Sequence, residues 1–533
     1  MFGPKYAGGT KTDKPVAATR PEEPLTTVAG YRLANIDVDV DPHAARRVWA
    51  RDSTYWGPGD DDPAERLGWL DSPDEMAYAV PDLLEFAESV AGREVATVAL
   101  LGMGGSALAP EVFARTLPSM GTRLVLCDST HPGEVRRVSD ALDLNRSLFI
   151  VSSKSGTTVE TTSLYRYFRS LVDDGGFVAI TDPGTPLEDL AREHGFLSTF
   201  TNRPDIGGRF SALSYFGLVP AAVIGVDVAE IIVGARDMRE RCSPAVSAEE
   251  NPGAVLGSVL GSLAKRGRDK LTMVVSAPLV AFGDWLEQLV AESTGKHGTG
   301  IAPVVGEPVA NPDDYGDDRV FVHIRLREDH AYDDFVAELA TAGHPVVGID
   351  VGSAVDLGAE MFRWEFAVAV ASAILGINAF DQPDVEAAKA AARAALESPT
   401  AVEWPDEDPN EVLEGIIPPE LAALLLFAPQ SQAAKAALGS ARSRLLSRGV
   451  ATSAGFGPRY LHSTGQLHKG GPKEIRALVV LDPPSDDIAV PGTDYGFARL
   501  VSAQAEGDAH ALEAAGRRVA RTTFERFSRW AES

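Results

Sequence analysis

The chain has 533 residues, 44% hydrophobic and 23% charged, which excludes a largely disordered protein and suggests two to four domains. Lys and Arg total 49 against 76 Asp and Glu, a net charge of −27 that argues against nucleic acid or an anionic membrane as a general partner. A small anionic substrate stays open, because one local cationic pocket is enough to hold it.

Cys127 and Cys242 are the only cysteines, too few for a disulfide framework or a cysteine-rich zinc site, and compatible with the cytoplasm. Residues 1–20 lack an apolar segment of the signal-peptide kind, and residues 1–25 read as a mobile arm. A mostly helical entry then runs to about residue 92. Residues 95–101 (VATVALL) predict a strand, followed by the glycine turn GMGGS and a helix. Residues 123–127, 148–152 and 176–181 predict three more strands, the second ending in SKSGTT and the third in DPGTP. Short β-branched runs alternating with helices are the pattern of a parallel α/β sheet, whose ligands bind at the carboxyl ends of the strands. The pattern recurs with strands over 271–276, 320–324 and 346–351 and helices over 281–292, 360–374 and 384–396. The longest mostly apolar run, 366–380, is shorter than the ~20 residues of a membrane-spanning helix. These features predict a soluble cytoplasmic protein. An acidic, Pro-rich crossing over 397–419 leads to a helical and mixed tail with LHSTGQLHKGG and a last helix over about 508–530.

Several turns carry groups suited to an anionic substrate. GMGGS brings Gly105 and Ser106 to a helix start, where bare backbone donors meet a ligand; Ala107 breaks the dinucleotide fingerprint. SKSGTT offers Ser153, Ser155, Thr157 and Thr158 with Lys154 beside them, more hydroxyls than an N-cap needs and suited to a phosphate monoester. The Walker spacing is absent, so nucleotide hydrolysis is not indicated. GGRFS places Arg209 after Gly208, where a guanidinium could stabilise an anion, although a loop arginine alone is more often a surface group. Gln288 and Glu292 share one helix face near Gly295, and a carboxylate there could move a proton between carbons; by pattern alone a solvated Glu is the simpler reading. Gln382 and Lys389 can face one side of a helix entered through Pro383, with an exposed lysine as the plainer alternative. His462 and His468 sit in a Gly-rich setting suited to acid–base work, or are simply loop histidines. No matching cluster of further ligands suggests a metal.

GMGGSALAP, SKSGTTVET, GGRFSALS, AESTGK, INAFDQPDVEAAK and LHSTGQ together resemble the glucose-6-phosphate isomerase (phosphoglucose isomerase) family, over roughly residues 95–475. The likeness is nearest to the isomerase half of transaldolase–isomerase fusions, with no transaldolase part here. The resemblance implies an α/β fold of two SIS-type domains, flavodoxin-like with a parallel sheet flanked by helices, and a C-terminal mixed and helical extension. The boundaries expected are an arm over 1–25, a helical entry and first SIS domain over 26–230, linking helices and a second SIS domain over 231–400, and the extension over 401–533.

The resemblance also implies roles. Gly105 and Ser106 match the first sugar-phosphate loop, and Ser153, Lys154, Ser155 and Thr158 match the phosphate loop. Arg209, after Gly208, matches the arginine that stabilises the enediolate, and Glu292 the base that moves the proton between C1 and C2. Gln288 and Gln382 match substrate-contacting glutamines; Lys389 and His462 match the pair that opens the sugar ring, with His468 as the rival of His462. The usual family order has the histidine between the glutamate and the lysine, whereas His462 follows both. In family dimers the histidine comes from the neighbouring subunit, and which subunit supplies His462 here stays open.

The activity implied is reversible conversion of glucose 6-phosphate to fructose 6-phosphate in glycolysis and gluconeogenesis, on a small sugar phosphate, without metal or cofactor, in a homodimer of the family kind. A dual phosphoglucose and phosphomannose isomerase is one alternative. A non-catalytic SIS-domain sugar-phosphate sensor is another, though it would have no need of Glu292, Arg209 and Lys389 together. A glutamine-dependent sugar aminotransferase is disfavoured, because no N-terminal cysteine nucleophile domain is recognisable.

Overall fold

The computed structural model describes residues 26–37, 39–119, 121–172, 176–384, 393, 396 and 404–533. The expected arm, Lys389 and most of the helix expected over 384–396 lie outside them.

Two short strands, β1 (Thr26–Val28) and β2 (Tyr31–Ala34), open the described chain as a hairpin. They add a short hairpin to an entry that is otherwise mostly helical as expected, with helices Ala44–Trp49 and Ser72–Ala91. Three or four residues per strand are too few for alternation to announce itself, and β2 is fixed by pairing with a strand more than 300 residues away.

The first sheet follows: β3 (Thr97–Gly102), β4 (Arg123–Cys127), β5 (Ser147–Ser152), β6 (Gly176–Thr181) and β7 (Ser198–Thr201), all parallel, in the order β4-β3-β5-β6-β7. Both β3 and β5 are buried along their whole length, as a sheet covered by helices on both faces requires. The second sheet holds β8 (Lys270–Val275), β9 (Ala302–Val304), β10 (Arg319–Leu326) and β11 (Val346–Val351), in the order β1-β2-β11-β10-β8-β9. Its four later strands are parallel and the hairpin closes one edge antiparallel. One apolar core spans the helices between these sheets and includes Trp69, Phe113, Phe210, Trp285, Phe362 and Trp364.

The mixed tail resolves into a third sheet. Strands β12 (Leu421–Phe427), β13 (Ala451–Phe456), β14 (Ile475–Leu481) and β15 (Arg518–Thr523) run parallel in the order β13-β12-β14-β15. The single helix expected over 508–530 is corrected to helix Phe497–Ala514, strand β15 and helix Phe524–Glu532. Gly516, at φ +77°, turns the chain between the first two in a conformation that favours glycine. Parallel sheets flanked by helices make the whole an α/β fold.

The third sheet shares a core with the second unit. Ala291, Ala302 and Val304 pack in one cluster with Leu421, Tyr460 and Leu467. Among the described residues no helix is long and apolar enough to cross a membrane.

Candidate active site

The turns after β3, β5, β7 and β13 and helix Val280–Thr294 converge. Gly104, at φ +52°, lies so close to the tail that a β-carbon there would sit 2.4 Å from the His462 carbonyl oxygen and 2.8 Å from Gln288 Nε2. A β-carbon on Gly105 would fall 2.0 Å from the Gly208 carbonyl. The glycines of GMGGS are thus a packing requirement: two other turns press onto this backbone. Ser106 is buried beside them.

Helix Val280–Thr294 is largely buried, and its last two turns carry Gln288 and Glu292 on one face. Gln288 Nε2 donates to Glu292 Oε2 at 3.1 Å and to the His462 carbonyl at 2.7 Å. Arg209 Nη1 lies 3.6 Å from Glu292 Oε1, with the arginine side chain 3% and the glutamate 10% exposed. Arg209 donates from Nε to Ser293 Oγ at 2.9 Å and from Nη2 to the carbonyls of Ala379 (2.5 Å) and Asp381 (2.9 Å). These bonds fix the guanidinium beside the carboxylate. Burial pulls the Arg209 pKa below its ordinary value, and Glu292 and Asp381 oppose that pull.

A second buried cation underlies the first. Lys296 Nζ is 2.6 Å from the Asn378 carbonyl and 2.9 Å from Asp381 Oδ1. Burial brings its pKa down to about 7, helped by Arg209 and resisted by Asp381 and Glu292. The 377–381 segment is therefore held by two cations, and it leads directly to Gln382, which is exposed.

His462 stands opposite. Its Nε2 donates to Glu160 Oε1 at 3.0 Å, and Gln504 Nε2 donates to the same oxygen at 2.8 Å. Thr130 Oγ1 donates in turn to Gln504 Oε1. A neutral imidazole has one donor and one acceptor nitrogen, so this arrangement leaves Nδ1 to accept a proton. His468 is different: its Nε2 bonds Ser453 Oγ at 2.9 Å in the core, and burial pushes its pKa down to about 3. It is a core histidine.

The SKSGTT turn leads into helix Val159–Leu171, whose first turn carries Glu160. Ser153 is buried with Oγ 2.9 Å from Thr158 Oγ1, while Ser155 is exposed, its Oγ 3.0 Å from Thr157 Oγ1. Lys154 pairs with Asp182 at the end of β6. Lys154 Nζ and Arg66 Nη1 each donate to the Pro204 carbonyl at 3.2 Å, and Arg66 Nε also donates to Asp61 at 3.2 Å.

The structure thus brings together Gly105, Ser106, Gly208, Arg209, Gln288, Glu292 and His462. Through Glu160 it links them to the turn of Ser153, Lys154, Ser155 and Thr158. Lys389 lies outside the described residues. Among those described, no group of three or more His, Cys, Asp or Glu could hold a metal ion.

A family model described as phosphoglucose isomerase matches residues 85–310. The glucose-6-phosphate isomerase of Rubrobacter xylanophilus is 32% identical over 378 residues, taking in 59% of this chain and 86% of the relative. The chain belongs to the phosphoglucose isomerase family. A glucose-6-phosphate isomerase of Methanocaldococcus jannaschii is 27% identical over 346 residues, 57% of this chain and 85% of its own length. Among solved structures, a Thermus thermophilus protein described as hypothetical has a TM-score of 0.57 at 25% identity, covering 67% of this chain and 94% of that one. A glucose-6-phosphate isomerase of Chlamydia trachomatis shares the fold at TM-score 0.51 and 23% identity, over 67% of this chain and 79% of its own. The matched region of the phosphoglucose isomerase model includes Gly105 through Glu292 and ends before Gln382 and His462.

Other polar residues of the site were not singled out by the sequence. Glu160, Ser293, Lys296, Asp381 and Gln466 all fall inside the motif strings SKSGTTVET, AESTGK, FDQ and LHSTGQ, so the strings themselves were the signal. Arg66, Thr130 and Gln504 have no local signal; only the long-range fold brings them here.

Proposed function

We propose that this member of the phosphoglucose isomerase family interconverts glucose 6-phosphate and fructose 6-phosphate. The observation that carries the reading is the buried Glu292–Arg209 pair: a carboxylate fixed by Gln288 at one oxygen faces a guanidinium at the other. A proton shuttle between adjacent carbons needs such a base next to a cation that can accept the charge of an enediolate.

The phosphate docks on the Ser153–Thr158 hydroxyls, remote from the reacting carbons. His462, through Nδ1, and Lys389 pass a proton between the ring oxygen and its hydroxyl partner to open the ring. Glu292 then takes the C2 proton. The C–H electron pair becomes the C1–C2 double bond, and the C1 carbonyl pair moves onto O1, toward Arg209. A proton passes from O2 to O1, and Glu292 returns its proton to C1 to give the ketose. No electron leaves the sugar.

The test is isomerisation of fructose 6-phosphate read by a coupled dehydrogenase. Wild-type protein should turn over, and Glu292→Gln should lose about 100- to 10,000-fold in kcat while still binding the substrate in a thermal-shift titration. A full-rate Glu292→Gln protein would remove the glutamate from the role of base. Saturable sugar-phosphate binding without wild-type turnover would move the assignment to a sensor.

A further inference from the structure

His462 lies 174 residues beyond Gln288 in sequence and on a different sheet, yet its carbonyl is bonded to that side chain. We infer that one chain supplies both the base and the acid–base histidine of its isomerase site, with the third sheet acting as an in-chain carrier of that histidine. The inference rests on the isomerase reading above and adds where the catalytic unit ends.

Three independent attachments hold the carrier to its own chain. The first is at the histidine: Nε2 to Glu160 Oε1, the carbonyl to Gln288, and the backbone resting on Gly104. The second is four residues on. Gln466 Nε2 donates to the Gly295 carbonyl at 3.0 Å and to Asp384 Oδ2 at 2.6 Å, while its Oε1 accepts from the Asp384 amide at 3.1 Å. One side chain thereby ties the histidine turn to the end of the helix of the base and to the segment that leads toward Lys389. The third is three residues before the histidine. Arg459 bonds Glu111 Oε2 and Asp128 Oδ2, each at 2.5 Å, with Asp284 Oδ2 at 3.8 Å. Glu111 follows the GMGGS turn, Asp128 directly follows β4, and Asp284 lies in the first turns of the helix of the base.

Each attachment uses buried or half-buried polar groups that would be left unpaired if the carrier moved away. The apolar cluster of Ala291, Ala302, Val304, Leu421, Tyr460 and Leu467 would be opened at the same time. The arrangement therefore joins His462, through the Gln288 side chain, to the Glu292 of its own chain, and this pairing does not depend on a second copy.

Two measurements test this, one through activity and one through mass. Glu292→Gln and His462→Asn chains, carrying different tags, are co-expressed and the mixed assembly is purified. An in-chain site gives no recovery above the sum of the two parents. A histidine supplied across subunits would restore one of the two sites in each mixed dimer, about half of wild-type activity in the purified mixed assembly, and would overturn the inference.

The second measurement does not depend on turnover. Arg136 and Asp486 form an exposed ion pair at 2.8 Å between the first unit and the third, and such a pair contributes little to stability. An Arg136→Cys, Asp486→Cys protein bridged with a short bis-maleimide should run at the mass of one chain on a denaturing gel. A doubled mass would show the third sheet seated on another copy and overturn the inference. If wild-type protein gave no turnover and the bridged chain still ran singly, the isomerase reading would fail while the in-chain seating stood.

Discussion

His462 and His468 share one short stretch of chain and have opposite chemistry. His462 keeps 20% of its side chain exposed and meets a carboxylate; His468 is sealed against Ser453 and Tyr460. The sealed ring has a pKa of about 3 in the fold and an ordinary value of 6.5 when unfolded. Between those values the unfolded chain binds a proton that the fold does not. The stability it protects is whole above pH 6.5 and falls as the pH drops toward 3, by at most ~1.4 kcal/mol per pH unit. Urea melts at pH 7, 6 and 5 should show this fall, and His468→Gln should flatten it; an unchanged slope would refute the assignment. Gly104 is the second residue with a sharp expectation. Gly104→Ala drives a β-carbon into the His462 carbonyl and the Gln288 amide, at a φ that suits glycine. We expect a loss of about 1–3 kcal/mol in stability and at least a tenfold loss in kcat, measured by melts and by the coupled assay.

At the scale of elements, the legible part of the sequence was local. GMGGS and SKSGTT follow β-branched runs and precede helices, so strand, turn and site could be read from contiguous residues. The third sheet was not read that way. Its β12 is Ala- and Leu-rich, a composition that suits a helix as well as a buried strand, and only pairing with β13 and β14 decides. Strand β15 falls inside a stretch whose pattern suits one longer helix, although Gly516 marks the break. A β-carbon at Gly516 meets nothing within 4 Å, so the cost of a substitution there is backbone strain alone. Gly516→Ala should therefore lose about 1 kcal/mol of stability and keep full activity, in contrast to Gly104→Ala. In the site, motif strings located Glu292, Arg209 and His462, while Gln504 and Arg66 come from remote elements that no spacing reveals.

Across the whole molecule the net charge of −27 shapes how an anion is received. The site offers no bare cationic pocket among the described residues. Arg209 faces Glu292, Lys296 faces Asp381, Lys154 faces Asp182 and Arg66 faces Asp61. A phosphate docking there as proposed would have to draw Lys154 from its carboxylate, with the loop hydroxyls and the helix N-terminus supplying the rest of the attraction. The bonds of Gln466 have their consequence at this scale too. Because the one amide side chain grips Gly295 and Asp384 at once, an opening fluctuation of the histidine turn carries both neighbours with it. Deuterium uptake at the amide of Asp384, bonded to Gln466, and at that of Gly298, bonded to Gly470, should follow one common rate, and Gln466→Ala should split it into two. Segments far apart along the chain would then breathe as a single cooperative unit, so that the groups assigned to ring opening and to proton transfer are exposed together or not at all.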